Sequence, residues 1–302
     1  MKFSNSFFTA KGEQRASIFA KKLNTVWFNT GSLCNLECKN CYIESSPKND
    51  SLEYLCLSDF KNFLKEILNN DFQTKEIAFT GGEPFMNKDI IQMLFESLNN
   101  NFKTLVLTNA MSPMLHKKNE LLDLNKKFVK YLKLRISIDH YTKVKHEEVR
   151  GKNSFNKMLE GISFLKENNF NFSFATRLMW NENEKTTREN FKNFFSINNI
   201  KLDAYSNEDL VTFTEMDINA DTPEITTACW SILNKNPDDV MCSHTRMVVK
   251  KKNRKPSVIA CTLLPYDEAF DLGETLKSSL KKVYLNHPHC SKFCVLGGSK
   301  CS

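Results

Sequence analysis

Short apolar runs rich in Val, Ile, Phe and Thr alternate along most of the chain with polar stretches whose apolar positions recur every three or four residues. Five runs have the length and side chains of strands: NTVWFNT from Asn24, KEIAFT from Lys75, KTLVLTN from Lys103, YLKLRISID from Tyr131 and FNFSFATRL from Phe170. A sixth is expected at KLDAY (201–205) or LVTFT (210–214). Between the first two, SDFKNFLKEILNN puts Phe60, Phe63, Leu64, Ile67 and Leu68 on one stripe, with Ser58 as N-cap, and so predicts a helix. Further helices are predicted from near Lys88, Lys118, Ser154 and Thr186. Strand then helix, repeated about six times, calls for a parallel sheet with right-handed crossovers. The polar motifs fall at the C-terminal ends of the strands, the edge where such architectures bind ligands.

Past residue 220 the pattern changes. MVVKK (247–251) and SVIAC (257–261) read as a β-hairpin, and LGETLKSSLKKV (272–283) as a short helix. A boundary near residue 218 divides the chain into a core, 1–218, and a small annex, 219–302.

Composition narrows the classes. Hydrophobic content of 41% and charged content of 25% are ordinary for a globular chain. No apolar run approaches the roughly 18 residues that span a bilayer, and the first residues lack the continuous apolar stretch of a secretory signal. Location in the cytosol follows as the expectation, and there ten cysteines are not a disulfide scaffold. The net charge of +7 is spread over lysines scattered among asparagines, which reads as a solvated surface. The one dense basic run is KKKNRK, Lys250 to Lys255.

Cys34, Cys38 and Cys41 then require a chemical reason, since GSLCNLECKNC crowds three thiols just after the first strand. Soft thiolates suit iron-sulfur clusters, and a site short of one protein ligand can bind a further molecule at the metal. Structural zinc would want a fourth ligand close by. Cys-x3-Cys-x2-Cys at this place resembles the radical S-adenosylmethionine (radical SAM) superfamily, with TGGEPF closing the second strand and LTNA, SID and TR the next three. The resemblance covers about residues 24–205. It implies a partial (β/α)6 TIM-like barrel, a 4Fe-4S cluster on Cys34, Cys38 and Cys41, and S-adenosyl-L-methionine chelated at the open iron. It assigns Gly81 and Gly82 to the backbone beside the methionine end and Glu83 to its amine. Thr108, Asn109, Ser137, Asp139, Thr176 and Arg177 become cofactor-binding candidates, with Asp139 suited to ribose hydroxyls and Arg177 to a carboxylate. The residue before the third cysteine, often aromatic in the superfamily, is Asn40 here, with Tyr42 following.

The annex resembles the twitch or shortened SPASM unit that carries an auxiliary 4Fe-4S cluster. By that resemblance Cys242, Cys261, Cys290 and Cys294 are ligands, with Cys301 an alternative for the second pair. Four thiolates suit zinc equally well, and His287 and His289 are further candidate ligands. Cys56 and Cys229 read as buried apolar thiols.

The activity implied is reductive cleavage of S-adenosylmethionine to a 5′-deoxyadenosyl radical and abstraction of a hydrogen atom from a small-molecule or peptide substrate, with the auxiliary cluster assisting. A flavodoxin- or ferredoxin-type protein is the implied electron donor. Only about 23 residues precede the first strand, so a leader peptide would need a separate binding protein. Glu215 and Asp217 are candidate proton acceptors or substrate contacts near the sixth strand. Radical modification of a nucleotide or RNA, and a zinc-stapled binding module without catalysis, stand as alternatives.

Overall fold

The computed structural model describes residues 1–215 and 221–298. In chain order the elements are β1 (Ser17–Phe19), β2 (Thr25–Asn29), α1 (Leu57–Asn69), β3 (Glu76–Thr80), α2 (Ile90–Asn99), β4 (Lys103–Thr108), α3 (Ser112–Leu115), α4 (Lys118–Phe128), β5 (Leu132–Ser137) and α5 (Lys143–Arg150). They continue as α6 (Ser154–Glu167), β6 (Phe172–Leu178), α7 (Glu184–Ile197), β7 (Leu210–Thr214), β8 (Thr245–Val249), β9 (Ser257–Ile259) and β10 (Lys282–Tyr284).

Eight strands form one sheet in the order β7-β6-β5-β4-β3-β2-β8-β9. The six strands β2 to β7 run parallel, in register from Thr25↔Glu76 at one end to Leu178↔Thr214 at the other. This is the expected six-strand α/β arrangement, with the sixth strand at LVTFT. The sheet stays open, since β7 and β9 remain its edges.

Alternation along each strand makes two cores. Val26 and Phe28 of β2, Ile77 and Phe79 of β3 and Val106 of β4 point out to the helices, where Phe28 meets Phe60 edge-on at 4.8 Å. Trp27, Ala78 and Leu105 point into the lumen and pack with Met247, Phe293 and Leu263 from the C-terminal part. Strands covered on both faces must be apolar at nearly every position, and β2 is buried along its whole length.

Three expectations are corrected. Ser58 does not cap α1: the helix starts at Leu57, whose N–H is taken by Asp89 Oδ2 at 3.0 Å, a cap supplied from elsewhere in the chain. Leu68 leaves the predicted stripe and is 51% exposed. The segment 272–281 makes turns, because Glu66 receives the Leu276 and Lys277 N–H groups at 3.0 and 2.8 Å and Arg246 holds the Ser279 carbonyl at 3.0 Å. Those tertiary bonds compete with the helical ones. The annex helix lies instead at Cys290–Leu296, as a π-helix.

The predicted hairpin forms, β8 against β9, but β8 also pairs parallel with β2, from Thr25↔Thr245 to Phe28↔Val248. The hairpin therefore extends the barrel sheet. The point near residue 218 lies outside the described residues, as does Asp217. The N-terminal segment closes back on the annex through β1 and β10 and through a buried Arg15–Glu224 ion pair at 2.5 Å. The basic run at the hairpin tip is neutralised: Lys250, Lys251, Lys252 and Arg254 pair with Asp59, Asp271, Asp50 and Glu268. Among the described residues no helix is long and apolar enough to cross a membrane.

Candidate functional site

The loop between β2 and α1 carries Cys34, Cys38 and Cys41 to the C-terminal edge of the sheet, as the strand-end rule requires. Two strands of backbone fix its start. Gly82 N–H donates to the Gly31 carbonyl at 2.8 Å, and Glu83 N–H to the Leu33 carbonyl at 3.2 Å. A Cβ on Gly82 would stand 2.1 Å from the Leu33 oxygen, and one on Gly81, at φ +141°, 2.7 Å from the Gly31 oxygen. The glycine pair thus serves the chain's own backbone first.

Glu83 is buried at 1% exposure. Its carboxylate accepts from Thr108 Oγ1 at 2.9 Å, Asn109 N–H at 2.9 Å and Phe85 N–H at 3.2 Å. Burial dominates these bonds and pushes its carboxyl up to about 7. It ties the ends of β3 and β4 together and does not line the cavity described below.

Past β5, Asp139 binds two guanidinium groups, Arg177 Nε at 2.7 Å and Arg150 Nε at 2.5 Å. Burial alone would raise its carboxyl, but the two arginines outweigh it and hold it well below the usual range. Arg177 reaches on to the Asn40 and Lys39 carbonyls at 3.0 and 3.4 Å and lies over the Tyr42 ring. The last turn of α5 joins the same assembly through Lys39 N–H on the Val149 carbonyl at 2.9 Å. Asp139 and Arg177 are therefore partners that grip the cysteine loop.

These residues enclose a cavity of about 230 Å3. Cys34, Cys38, Cys41, Tyr42, Gly81 and Gly82 line it, with Thr108, Asn109, Ser137, Asp139, Thr176 and Arg177 completing the strand-end set. Every cofactor-binding candidate except Glu83 is brought there. Arg150, Arg135, Trp27 and Phe213 also line it and were not singled out from the sequence. Arg150 ends a helix of polar sequence, KVKHEEVR, which gives no periodic signal. Burial is the chief influence on the Cys34 thiol and pushes it up to about 12; Cys38 is raised for the same reason. Buried thiols facing one cavity suit metal ligation, because iron ions bound to the sulfurs favour the thiolate that burial disfavours.

The annex cysteines also converge. Cys242, Cys261, Cys290 and Cys294 line a second, small cavity of about 20 Å3 together with His289, whose Nδ1 has no hydrogen-bond partner among the described residues. Burial raises Cys242 to about 11 and Cys290 well above its ordinary value. His287 stands edge-on to His289 at 4.4 Å. Among the described residues no three Cys, His, Asp or Glu groups lie close enough to share a single ion. Cys301 lies outside the described residues, and Glu215 stays off the main cavity. Cys56 and Cys229 are half-buried, Cys56 against Ser58 Oγ at 3.0 Å and Cys229 against Thr226 N–H at 3.3 Å. Thr262 and Leu263, next to Cys261, and Phe293, next to Cys294, form the wall between the two thiol sets.

Comparison with known proteins gives a match of residues 28–194, just over half of the chain, to the model of the Radical SAM superfamily. The antilisterial bacteriocin subtilosin biosynthesis protein AlbA of Bacillus subtilis is 33% identical over 135 residues, which is 44% of this chain and 28% of AlbA. The GTP 3′,8-cyclase of Shewanella denitrificans is 22% identical over 153 residues, 50% of this chain and 43% of the cyclase. The match thus spans less than half the length of either relative. Among solved structures, Streptococcus suis SuiB bound to the precursor peptide SuiA superposes with a TM-score of 0.61 at 12% identity, over 87% of this chain and 64% of SuiB. SuiB bound to S-adenosylmethionine gives 0.60 at 13%, over 83% and 63%.

Proposed function

The chain belongs to the radical SAM superfamily, and from that premise we propose that it is a peptide-modifying radical SAM enzyme with an auxiliary cluster in its annex. The observation that carries the reading is one cavity lined both by Cys34, Cys38 and Cys41 and by Thr262, Leu263 and Phe293, the chain neighbours of Cys261 and Cys294. When bound, a 4Fe-4S cluster on Cys34, Cys38 and Cys41 together with S-adenosylmethionine would supply radical chemistry able to remove a hydrogen atom from an unactivated carbon. The chain's own residues do the positioning. Cys34, Cys38 and Cys41 hold the cluster, and Gly81 and Gly82 bring bare backbone to the methionine end. Thr108, Asn109, Ser137 and Thr176 offer hydroxyl and amide groups along the cofactor, and Tyr42 an aromatic face. The Arg150–Asp139–Arg177 bridge holds the cysteine loop against β5 and β6 through the Asn40 and Lys39 carbonyls. Glu83 joins the ends of β3 and β4 through its three accepted bonds, and its Oε2, which takes only the Asn109 N–H, keeps acceptor capacity for the cofactor's amine.

Trp27, Leu263, Phe213 and Phe293 make the far wall apolar, which keeps water from the radical. Cys242, Cys261, Cys290 and Cys294, or a set including Cys301, would hold the auxiliary cluster. AlbA takes part in bacteriocin biosynthesis and SuiB binds a precursor peptide, and both support a peptide substrate here. A flavodoxin or ferredoxin would deliver the electron.

Replacing Cys34, Cys38 and Cys41 together with alanine is expected to abolish S-adenosylmethionine cleavage and remove about four irons. Unchanged cleavage would sink the radical reading. Deuterated peptides and nucleotides, followed by mass spectrometry of 5′-deoxyadenosine, then separate the substrate classes, because label appears only from the molecule that gives up hydrogen.

A further inference from the structure

Arg246, on β8, is 1% exposed, and among the described residues its hydrogen bonds all go to carbonyl groups: Cys242 at 2.6 Å, Thr245 at 2.7 Å and Ser279 at 3.0 Å. Every other buried arginine among the described residues faces a carboxylate. Arg15 pairs with Glu224 at 2.5 Å, Arg188 with Glu184 at 2.8 Å, and Arg135 lies in the field of Glu76. Among the described residues no carboxylate forms an ion pair with Arg246, and the acidic side chain nearest it in the chain's own fold, Cys242, would favour the guanidinium only as a thiolate. A buried guanidinium satisfied only by carbonyls has its hydrogen bonds but no counter-charge, and a buried charge left unpaired is costly. Cys242 stands one helical turn away in sequence and faces the cavity shared by Cys261, Cys290 and Cys294.

We propose that Arg246 is the buried counter-charge of the annex cluster, a positioning residue that stabilises cluster loading and raises the cluster's reduction potential. This rests on the reading of the annex as a four-thiolate site. Such a cluster is anionic in both oxidation states and gains one further negative charge when it accepts one electron, so a fixed cation nearby favours the reduced form. Burial strengthens the effect because the intervening medium screens little. The hydrogen bond to the Cys242 carbonyl also fixes the turn that presents this thiol.

The test uses the full chain carrying the Cys34, Cys38 and Cys41 alanine replacements, so that only the annex can hold iron. Arg246→Gln and Arg246→Lys are made in that background, reconstituted anaerobically, and titrated with dithionite as the electron source while the reduced cluster is followed by electron paramagnetic resonance. The expected result is a fall in potential for Arg246→Gln and a return towards the parent value for Arg246→Lys. Loss of annex iron in Arg246→Gln but not in Arg246→Lys supports the same assignment. Equal potentials in the parent and Arg246→Gln, or iron lost from both variants, would overturn it and leave the guanidinium as a hydrogen-bonding wedge. Absence of iron from the triple-alanine parent itself is a separate outcome, which overturns the cluster reading and the counter-charge with it.

Discussion

Gly82 lies so close under the Leu33 carbonyl that its missing side chain helps set where Cys34 sits. Gly82→Ala must push the loop off β3, at a cost of about 1–3 kcal/mol, and is expected to lower both the melting temperature and the iron bound at Cys34, Cys38 and Cys41. Thermal denaturation and an iron assay check it; a fully loaded variant melting with the parent would show that the loop yields freely. Glu83 makes a pH prediction. Burial raises its folded carboxyl to about 7, above the unfolded value of about 4.3, so the folded chain binds the extra proton between the two. Its contribution to stability is present below the unfolded value and is lost as pH rises through the folded one. The metal-free parent should lose up to about 1.4 kcal/mol per pH unit across that interval, and Glu83→Gln should flatten the slope in urea titrations at several pH values. Equal slopes would mean that the carboxylate is already charged near neutrality. The importance of the Gly-Gly-Glu turn is visible in the letters TGGEPF, whereas its neighbours are not: nothing in the sequence places Leu33 over Gly82 or Thr108 on Glu83.

At the scale of elements, β2 is flanked by β3 on one side and β8 on the other. Stopping the chain at the boundary near residue 218 would strip β8 away and leave β2, buried along its length, as a bare edge. Such an apolar edge pairs with other copies. The fragment 1–218 is therefore expected to aggregate, or to lose the cooperative melt of the full chain. A soluble, monomeric and cooperatively melting fragment would restore the core as an independent unit. Sequence periodicity predicted all six barrel strands and most of the helices because each buries a regular face. It did not find α5, whose mostly polar positions hide its docking, nor β1 and β10, three residues each. The helix expected at 272–283 had the right propensity, but Glu66 and Arg246 capture its backbone groups from outside.

Across the whole molecule, the cavities of the two thiol sets share Thr262 and Leu263 in their linings. Cys261→Ala is expected to lower iron by about four per chain and to stop product formation, while 5′-deoxyadenosine is still formed by the first set. Iron analysis and chromatography of the nucleoside decide it, and loss of cleavage would mean that the two sites are not separable. The sequence by itself determined the strand-and-helix alternation, the three crowded cysteines and the polar residues closing each strand, because these depend on local period and spacing. Only the tertiary structure decided that the hairpin joins the barrel sheet, that Asp139 and Arg177 bind each other with Arg150, and that Glu83 ties the end of β3 to the end of β4. Ion pairs, parallel strand neighbours and close backbone approaches join residues far apart in the chain, and their partners are fixed by packing that no local pattern records.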